Sequence, residues 1–317
     1  MSLAVALLAG ALFSGVLLPL LLRRLDLRRR DPAPVILAWI LSALGVLLTA
    51  SMGLALLLLP DHGLGNPAAA AVVDCWTTIQ HGSIPRAEQW TTIAGAVAGV
   101  LITLRLVAVV GRQLRARART SRRYRDLLRL AGRADADPGV LRLAHDRPMA
   151  FSLSGTPGLV VLTDGLTQQL TPLEVQAVLE HERAHLRGRH HLLLALADGV
   201  RAAFPIVPLF SRAPAALRDL LELAADTAAV RHCGATAVRS ALLSVSGAAM
   251  PSTALGMAGQ AIQVRLERLR DVGGRPRRLR RAVLCGVAGT SVLLLPLVAA
   301  GGMFGLLVAV VCPLPVW

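Results

Sequence analysis

Two short patterns of histidine and carboxylate residues are the parts of this sequence whose spacing suits chemistry. Residues 181–185 have the form H-E-x-x-H, and residues 222–226 have the form E-x-x-x-D. Side chains four residues apart on a helix share a face, so His181 and His185 can both reach one metal ion. Catalytic zinc sites use three protein ligands and keep one position open, and Glu222 is the best candidate for the third ligand.

The other polar residues in and near these patterns have predicted roles around that ion. Glu182 is placed to take a proton from a metal-bound water. Asp226 can accept a hydrogen bond from the outer nitrogen of a ligand histidine and so fix its tautomer. His232 is a candidate oxyanion stabiliser, whereas His190 and His191 are expected to be surface or packing residues. The alternative for the second pattern is an exposed acidic face without a metal.

Local signals predict the elements that hold the two patterns. Residues 171–174, Thr-Pro-Leu-Glu, form a capping box with proline at the first helical position, and Gly188 is expected to end this helix. A second helix is predicted from Pro214 to Gly234. Residues 148–166 are predicted to form a β-hairpin that turns at a Gly-Thr-Pro-Gly run. Its strand edge can bind an extended substrate backbone, or the hairpin only covers the first helix.

The composition is that of a membrane protein. Of the 317 residues 54% are hydrophobic, and the mean hydropathy of +0.59 is higher than soluble domains of this size usually have. The net charge of +15 comes from basic residues that cluster beside the hydrophobic runs, which is typical of a membrane surface. Aromatic residues make up only 3% of the chain, so no direct nucleic acid binding is expected.

Four apolar runs are long enough to cross a bilayer. The first three spans are predicted at residues 3–22, 35–59 and 91–111. A signal peptide is the alternative for the first run, but no basic segment precedes it. The last run, 282–317, is long for one helix and short for two. It is predicted to cross once with a break near Pro296, and a re-entrant hairpin is the alternative.

Arginine clusters determine the predicted orientation. They lie at residues 23–30, 112–133 and 275–281. The positive-inside rule puts all three clusters in the cytoplasm and the N-terminus outside, in a multi-pass protein of the plasma membrane. Cys75 and Cys312 then both lie outside, where a disulfide between them is permitted and two unpaired thiols are the alternative.

The chain is predicted to divide into three parts. These are a three-span region at 1–114, a cytoplasmic zinc peptidase domain at 115–281 and a final span at 282–317. Residues 192–210 are apolar, but His181 and Glu222 have to meet at one metal on one side of the bilayer, and some 20 residues cannot cross it twice. This segment is therefore expected in the domain core or in the membrane interface.

Three stretches of the chain resemble the BlaR/MecR-type membrane metallopeptidases. They are FSLSGTPGLVVLTDGL at 151–166, LEVQAVLEHERAHLRGRHHLL at 173–193 and ELAAD at 222–226. The resemblance implies a mostly α integral membrane protein, with about four transmembrane helices and an α+β gluzincin-like zinc peptidase domain. It also implies that zinc is bound by His181, His185 and Glu222, with Glu182 as the base.

The resemblance makes an integral-membrane zinc endopeptidase with a role in signal transduction the favoured function. Members of that family trigger the loss of a BlaI/MecI-type transcriptional repressor, so such a repressor is the expected protein partner. Their penicillin-binding sensor domain has no counterpart in this sequence, and β-lactam sensing by that route is not expected. The HtpX-like quality-control proteases and the CAAX-prenyl endopeptidases share both patterns and are the nearest alternative. A catalytically silent membrane receptor is the third reading, and the intact Glu182 disfavours it.

Overall fold

The computed structural model describes residues 2–23, 31–58, 85–249, 257–270, 286, 290 and 294–305. In chain order its elements are helices α1 (Ser2–Arg23), α2 (Pro32–Leu58) and α3 (Pro85–Ala131), strands β1 (Arg133–Ala134), β2 (Val140–Leu143), β3 (Ala150–Leu153) and β4 (Leu159–Thr163), and helices α4 (Asp164–Gln169), α5 (Pro172–Arg187), α6 (His190–Ala203), α7 (Pro208–Ala249) and α8 (Met257–Arg270). The predicted disulfide partners Cys75 and Cys312 lie outside the described residues.

Three helices in the described part of the chain are long and apolar enough to cross a membrane. They are Leu3–Arg23 in α1, Pro32–Leu56 in α2 and Val97–Ala131 in α3. The first two agree closely with the predicted spans. Of the predicted fourth span, a short apolar helix at Leu294–Gly305 is described and most of the rest is not. The count of four spans therefore stays a prediction.

Helix α3 is much longer than the span predicted within it. Its 47 residues extend for roughly 70 Å at 1.5 Å per residue, against a hydrocarbon core of about 30 Å. No helix end occurs at residue 111, because the run that follows is rich in Arg, Ala and Leu, which are strong helix formers. The predicted domain boundary at residue 114 lies inside this helix and stays a prediction.

A small mixed sheet contains the predicted hairpin. Its strand order is β1-β2-β4-β3, with β2 parallel to β4 and β3 antiparallel to β4. Phe151 pairs with Val161 across the hairpin, which confirms that prediction. All five residues of β4 are buried, as the continuous apolar run at residues 159–162 indicates for a central strand. Strand β3 is left at one edge of the sheet, next to α5.

Helix α5, which carries the H-E-x-x-H pattern, is packed between the sheet and α7. Leu179 packs with Val160 and Leu162 of β4, and Ala177 packs with Ala229 of α7. Burial of a Leu or Val side chain stabilises the fold by about 1.5–3 kcal/mol. Packing on two sides fixes the rotation of α5 about its axis, and with it the direction of the two histidines.

Helix α7 begins earlier than predicted and bends where it was expected to end. It starts at Pro208 rather than Pro214, because Leu209 and Phe210 are buried against α1 and α2 and draw the first turns into the helix. Gly234 has a φ of 81°, a conformation that favours glycine, and it interrupts the helix as predicted. A second helical segment continues from there to Ala249.

The segment at 192–210 lies against the candidate membrane spans. Helix α6 packs along α3, where a Cβ on Gly199 would come within 3.1 Å of Val110. Arg105 Nε of α3 donates a hydrogen bond to the Ala203 carbonyl at 3.1 Å. The turn between α6 and α7 reaches α1, where Val207 lies 3.0 Å from the position of a Cβ on Gly15. The H-E-x-x-H helix is thereby connected to the candidate membrane spans through α6 and α7.

Candidate metal centre

The predicted capping box begins helix α5. The Thr171 backbone N–H donates to Glu174 Oε2 at 2.8 Å, and the Thr171 side chain contacts the backbone N–H of Glu174 in the first turn. The helix ends at Gly188, as predicted. A capped start and a defined end keep His181 and His185 on one regular helix, one turn apart on the same face, with His185 in the last turn.

Three donor groups meet where α5 faces α7. The Nε2 atoms of His181 and His185 lie 3.1 Å apart. Glu222 of α7 reaches both rings, with Oε2 at 3.4 Å from His181 Nε2 and Oε1 at 3.5 Å from His185 Nε2. Among the described residues, these three form a group able to hold a metal ion, with donor atoms all within 4.8 Å of one another.

Asp226 lies behind the first histidine, one helical turn after Glu222. Its Oδ1 is 3.0 Å from His181 Nδ1, so the ring donates through Nδ1 and leaves Nε2 as an acceptor for a metal. Arg265 of α8 binds this buried carboxylate with two hydrogen bonds, at 2.7 and 2.8 Å. The same guanidinium lies 3.2 Å from Glu222 Oε2 and so joins both acidic residues of the second pattern.

Arg265 is a site residue that the sequence patterns miss. It lies 39 residues after Asp226 on a different helix, and the sequence contains 34 basic residues without a motif that separates this one from the rest. A weak signal is the pair of carboxylates one turn apart on a largely apolar helix, since a buried carboxylate needs a cation nearby.

The charges on this side of the site displace three pKa values from their ordinary range. Burial favours the neutral ring of His181, but Asp226 and Glu222 outweigh it and raise its pKa to about 9 in the absence of a metal. Burial likewise opposes ionisation of the two carboxyl groups. Their hydrogen bonds with His181 and the charge of Arg265 nevertheless lower both pKa values to about 2.

The second histidine, His185, has a neutral partner on its outer nitrogen. His190 Nδ1 lies 2.9 Å from His185 Nδ1, and the two rings meet edge to face. Burial, together with the charge of His181, lowers the pKa of His185 to about 4, and burial lowers that of His190 to about 4. His191 Nε2 is 3.3 Å from the Ser152 hydroxyl of β3. Both histidines that follow the helix thus pack against the site.

Glu182 faces the edge strand β3. Burial raises the pKa of its carboxyl group above the ordinary value. The charge of His181 and hydrogen bonds from the Ser152 hydroxyl and backbone N–H act in the opposite direction. A carboxylate whose pKa is shifted toward neutrality suits a group that takes up and releases a proton.

His232 is not brought to the cluster. Its Nε2 lies 3.8 Å from Glu180 Oε2, and 58% of its side chain is exposed. Glu180 points away from the metal donors to Arg183 and Arg187, at 3.1 and 3.0 Å. Ten residues along a helix rotate the His232 side chain off the face that carries Glu222, so the geometry gives the predicted oxyanion role no support and it stays a prediction.

The donor set fits zinc. Two imidazole nitrogens and one carboxylate are a common ligand set for catalytic zinc, and both rings have a partner on the outer nitrogen. Tetrahedral zinc with bonds of 2.0–2.1 Å requires donors about 3.3 Å apart. The three donor separations of 3.1, 3.4 and 3.5 Å are close to that value.

Comparisons with known proteins agree with this chemistry. Residues 115–225, which include the H-E-x-x-H pattern and Glu222, match the model of peptidase family M48. A protease HtpX homolog from Moorella thermoacetica (strain ATCC 39073 / JCM 9320) is 40% identical over 73 residues, which cover 22% of this chain and 24% of that protein. The match thus spans about a quarter of that relative's length. No solved structure matches significantly.

These matches concern one segment of the chain. The segment that holds the donors is similar to M48 peptidases, and with the apolar helices this similarity indicates a membrane metallopeptidase. The matches do not single out the BlaR/MecR family, and they give its signalling role no support.

Proposed function

We propose that this protein is a membrane-bound, zinc-dependent endopeptidase. The observation that carries the proposal is the cluster of three donor atoms from His181, His185 and Glu222, all within 4.8 Å of one another and beside the carboxyl group of Glu182. The similarity of residues 115–225 to peptidase family M48 supports the same chemistry.

His181, His185 and Glu222 would hold the zinc ion. When bound, zinc polarises the scissile carbonyl and lowers the pKa of a water molecule. Glu182 accepts the proton of the attacking water and then delivers it to the leaving amine. Asp226 keeps the proton of His181 on Nδ1, and this leaves Nε2 free to bind the metal.

An extended substrate would lie along strand β3. This strand is at the edge of the sheet, and the Ser152 backbone N–H already faces the carboxyl group of Glu182. A peptide added to the same edge would carry its own backbone past the base. The alternative is a hairpin that only covers α5. It predicts that substitutions in β3 change the stability of the protein and not its cleavage of the substrate.

For the substrate class we favour membrane-associated proteins cleaved at many sites, in the manner of a quality-control protease. The relative named a protease HtpX homolog favours this class. The alternative is one specific cut in a BlaI/MecI-type repressor, and it remains a prediction. An outside N-terminus, a cytoplasmic peptidase domain and four spans are parts of the proposal that follow from the arginine clusters.

The test is cleavage by the full chain, purified in detergent and reconstituted in lipid vesicles. An unfolded soluble protein and a single-span membrane protein serve as substrates. We expect zinc-dependent cleavage by the wild type and a loss on the order of 10²–10⁴-fold in Glu182→Gln. Asp219→Asn, which alters an exposed carboxylate on the same helix as Glu222, is the matched control and keeps full activity.

Two results test the mechanism and the substrate class separately. Glu182→Gln protein that cleaves at the wild-type rate would rule out the mechanism. Mass spectrometry of the products separates the substrate classes, because quality control predicts many cuts in both substrates, and the signalling function predicts one or two cuts in a dedicated partner.

A further inference from the structure

His190 is buried although it follows an exposed loop. Gly188 and Arg189 are exposed, yet only 8% of His190 is. Arg189 adopts a φ of 49°, in the left-handed region, and this turns the chain back on the end of α5. The His190 ring then covers Gly188 so closely that a Cβ there would come within 2.4 Å of His190 Nε2.

The contact between His190 and His185 determines where the protons lie. The two Nδ1 atoms are 2.9 Å apart, so one of them donates and the other accepts. His185 Nε2 faces the other donors, at 3.1 Å from His181 Nε2, and must be unprotonated to bind a metal. The proton of His185 is therefore on Nδ1, and His190 accepts it.

We propose that His190 is a positioning residue that holds His185 in its metal-binding tautomer and orientation. It does for the second histidine what Asp226 does for the first. The inference rests on the proposed zinc site. It differs from the sequence-based expectation, in which His190 is a surface or packing residue.

His190 is not a fourth ligand. Its Nδ1 faces His185 Nδ1, and its Nε2 lies over Gly188. Among the described residues, the group able to hold a metal comprises His181, His185 and Glu222 without it. An acceptor behind a ligand ring raises the basicity of that ring and fixes its plane, so its loss weakens metal binding without removing a donor.

A neutral acceptor also suits the charge of the site. The site already holds the carboxyl groups of Glu182, Glu222 and Asp226. An imidazole supplies the hydrogen bond and adds no charge.

The experiment compares zinc affinity and the cobalt(II) absorption spectrum of full-length variants in detergent. His190→Leu keeps an apolar side chain of similar bulk without an acceptor, whereas His190→Asn keeps an acceptor oxygen near the position of Nδ1. His191→Leu is the matched control on the neighbouring histidine. Competition with a chromophoric chelator gives the affinity, and the cobalt spectrum reports the ligand geometry without reference to activity.

We expect His190→Leu to weaken zinc binding by roughly 10–100-fold and to change the cobalt spectrum. His190→Asn should restore affinity to within a few-fold of wild type. His191→Leu should leave both readouts unchanged. Gly188→Ala tests the same contact without altering either histidine, because its Cβ displaces the His190 ring, and it should weaken zinc binding as well. This variant keeps the test valid if His190→Leu does not fold.

The outcomes separate this inference from the proposed function. If the wild type binds zinc and His190→Leu binds it equally with the same cobalt spectrum, the positioning role is overturned and the peptidase proposal stands. Equal losses in His190→Leu and His190→Asn would also overturn it, since ring packing and not the acceptor would then matter. A wild type that binds no zinc would overturn both.

Discussion

The two sides of the candidate metal centre hold their histidines by different means. On the side of α7 and α8, His181 contacts Asp226, which two hydrogen bonds from Arg265 hold in place. On the side of α6, His185 contacts the neutral ring of His190. The first side is a charged network built from residues distant in the chain, and the second is a neutral pair five residues apart.

This difference affects the two rings in opposite directions. The carboxylates raise the pKa of His181 to about 9, so without a metal that ring holds a second proton at neutral pH. Burial and the charge of His181 lower the pKa of His185 to about 4, so that ring stays neutral. A zinc ion that enters the site must displace a proton on the charged side and none on the neutral side.

The largest expected effect comes from the residue that joins both sides. Glu222 reaches His181 with one oxygen and His185 with the other. Glu222→Ala should weaken zinc binding by more than the roughly 10–100-fold that loss of an outer partner costs. Metal analysis of the purified protein measures this, with Asp219→Asn as control. Full zinc occupancy in Glu222→Ala would mean that another group completes the ligand set.

Replacing Arg265 tests whether the carboxylates of the charged side destabilise the protein once their cation is removed. Arg265→Met leaves the buried Asp226 carboxylate and the partly exposed Glu222 carboxylate without their partner, and we expect it to destabilise the metal-free protein by on the order of 3 kcal/mol, mostly through Asp226. Zinc should restore part of the loss, because the metal supplies positive charge to the same carboxylates. Thermal unfolding with and without zinc measures both effects. Arg270→Gln, at the exposed end of α8, is the control. A metal-free protein of unchanged stability would contradict the contrast between the sides.

The pH dependence of zinc binding counts the protons displaced. Between pH 5 and 6.5 His181 is protonated in the metal-free protein, while His185 is neutral and Glu222 is ionised. One proton then leaves as zinc binds, so affinity should rise about tenfold for each unit of pH. Isothermal titration in the Glu182→Gln background removes the contribution of the base. A hundredfold rise per unit would show that both rings are protonated.

Local signals predicted the elements around the site well. The capping box, the end of α5 at Gly188 and the hairpin are short-range features in which turn and cap chemistry decides the structure. The first two candidate spans follow from length and hydropathy alone. The start of α7 was assigned to the second of two prolines, Pro214, because the sequence does not show that burial of Leu209 against α1 and α2 draws the chain from Pro208 onward into the helix.

The partners behind the ligands could not be predicted in the same way. Arg265 reaches Asp226 from a separate helix, and the sequence does not specify where one helix meets another. His190 looks like part of a polar loop, and its burial depends on the left-handed turn at Arg189. His232 was assigned by its distance in sequence, whereas its direction on α7 points it to Glu180.

The sequence by itself determined which histidines could bind a metal, because two histidines one helical turn apart are a local pattern that any regular helix presents on one face. It also determined the membrane character, which is a sum over composition. Only the tertiary structure decided how the two ligand histidines are held. The partner of each outer nitrogen depends on how α6, α7 and α8 pack around α5, and that packing results from burial across the whole chain and not from any one segment.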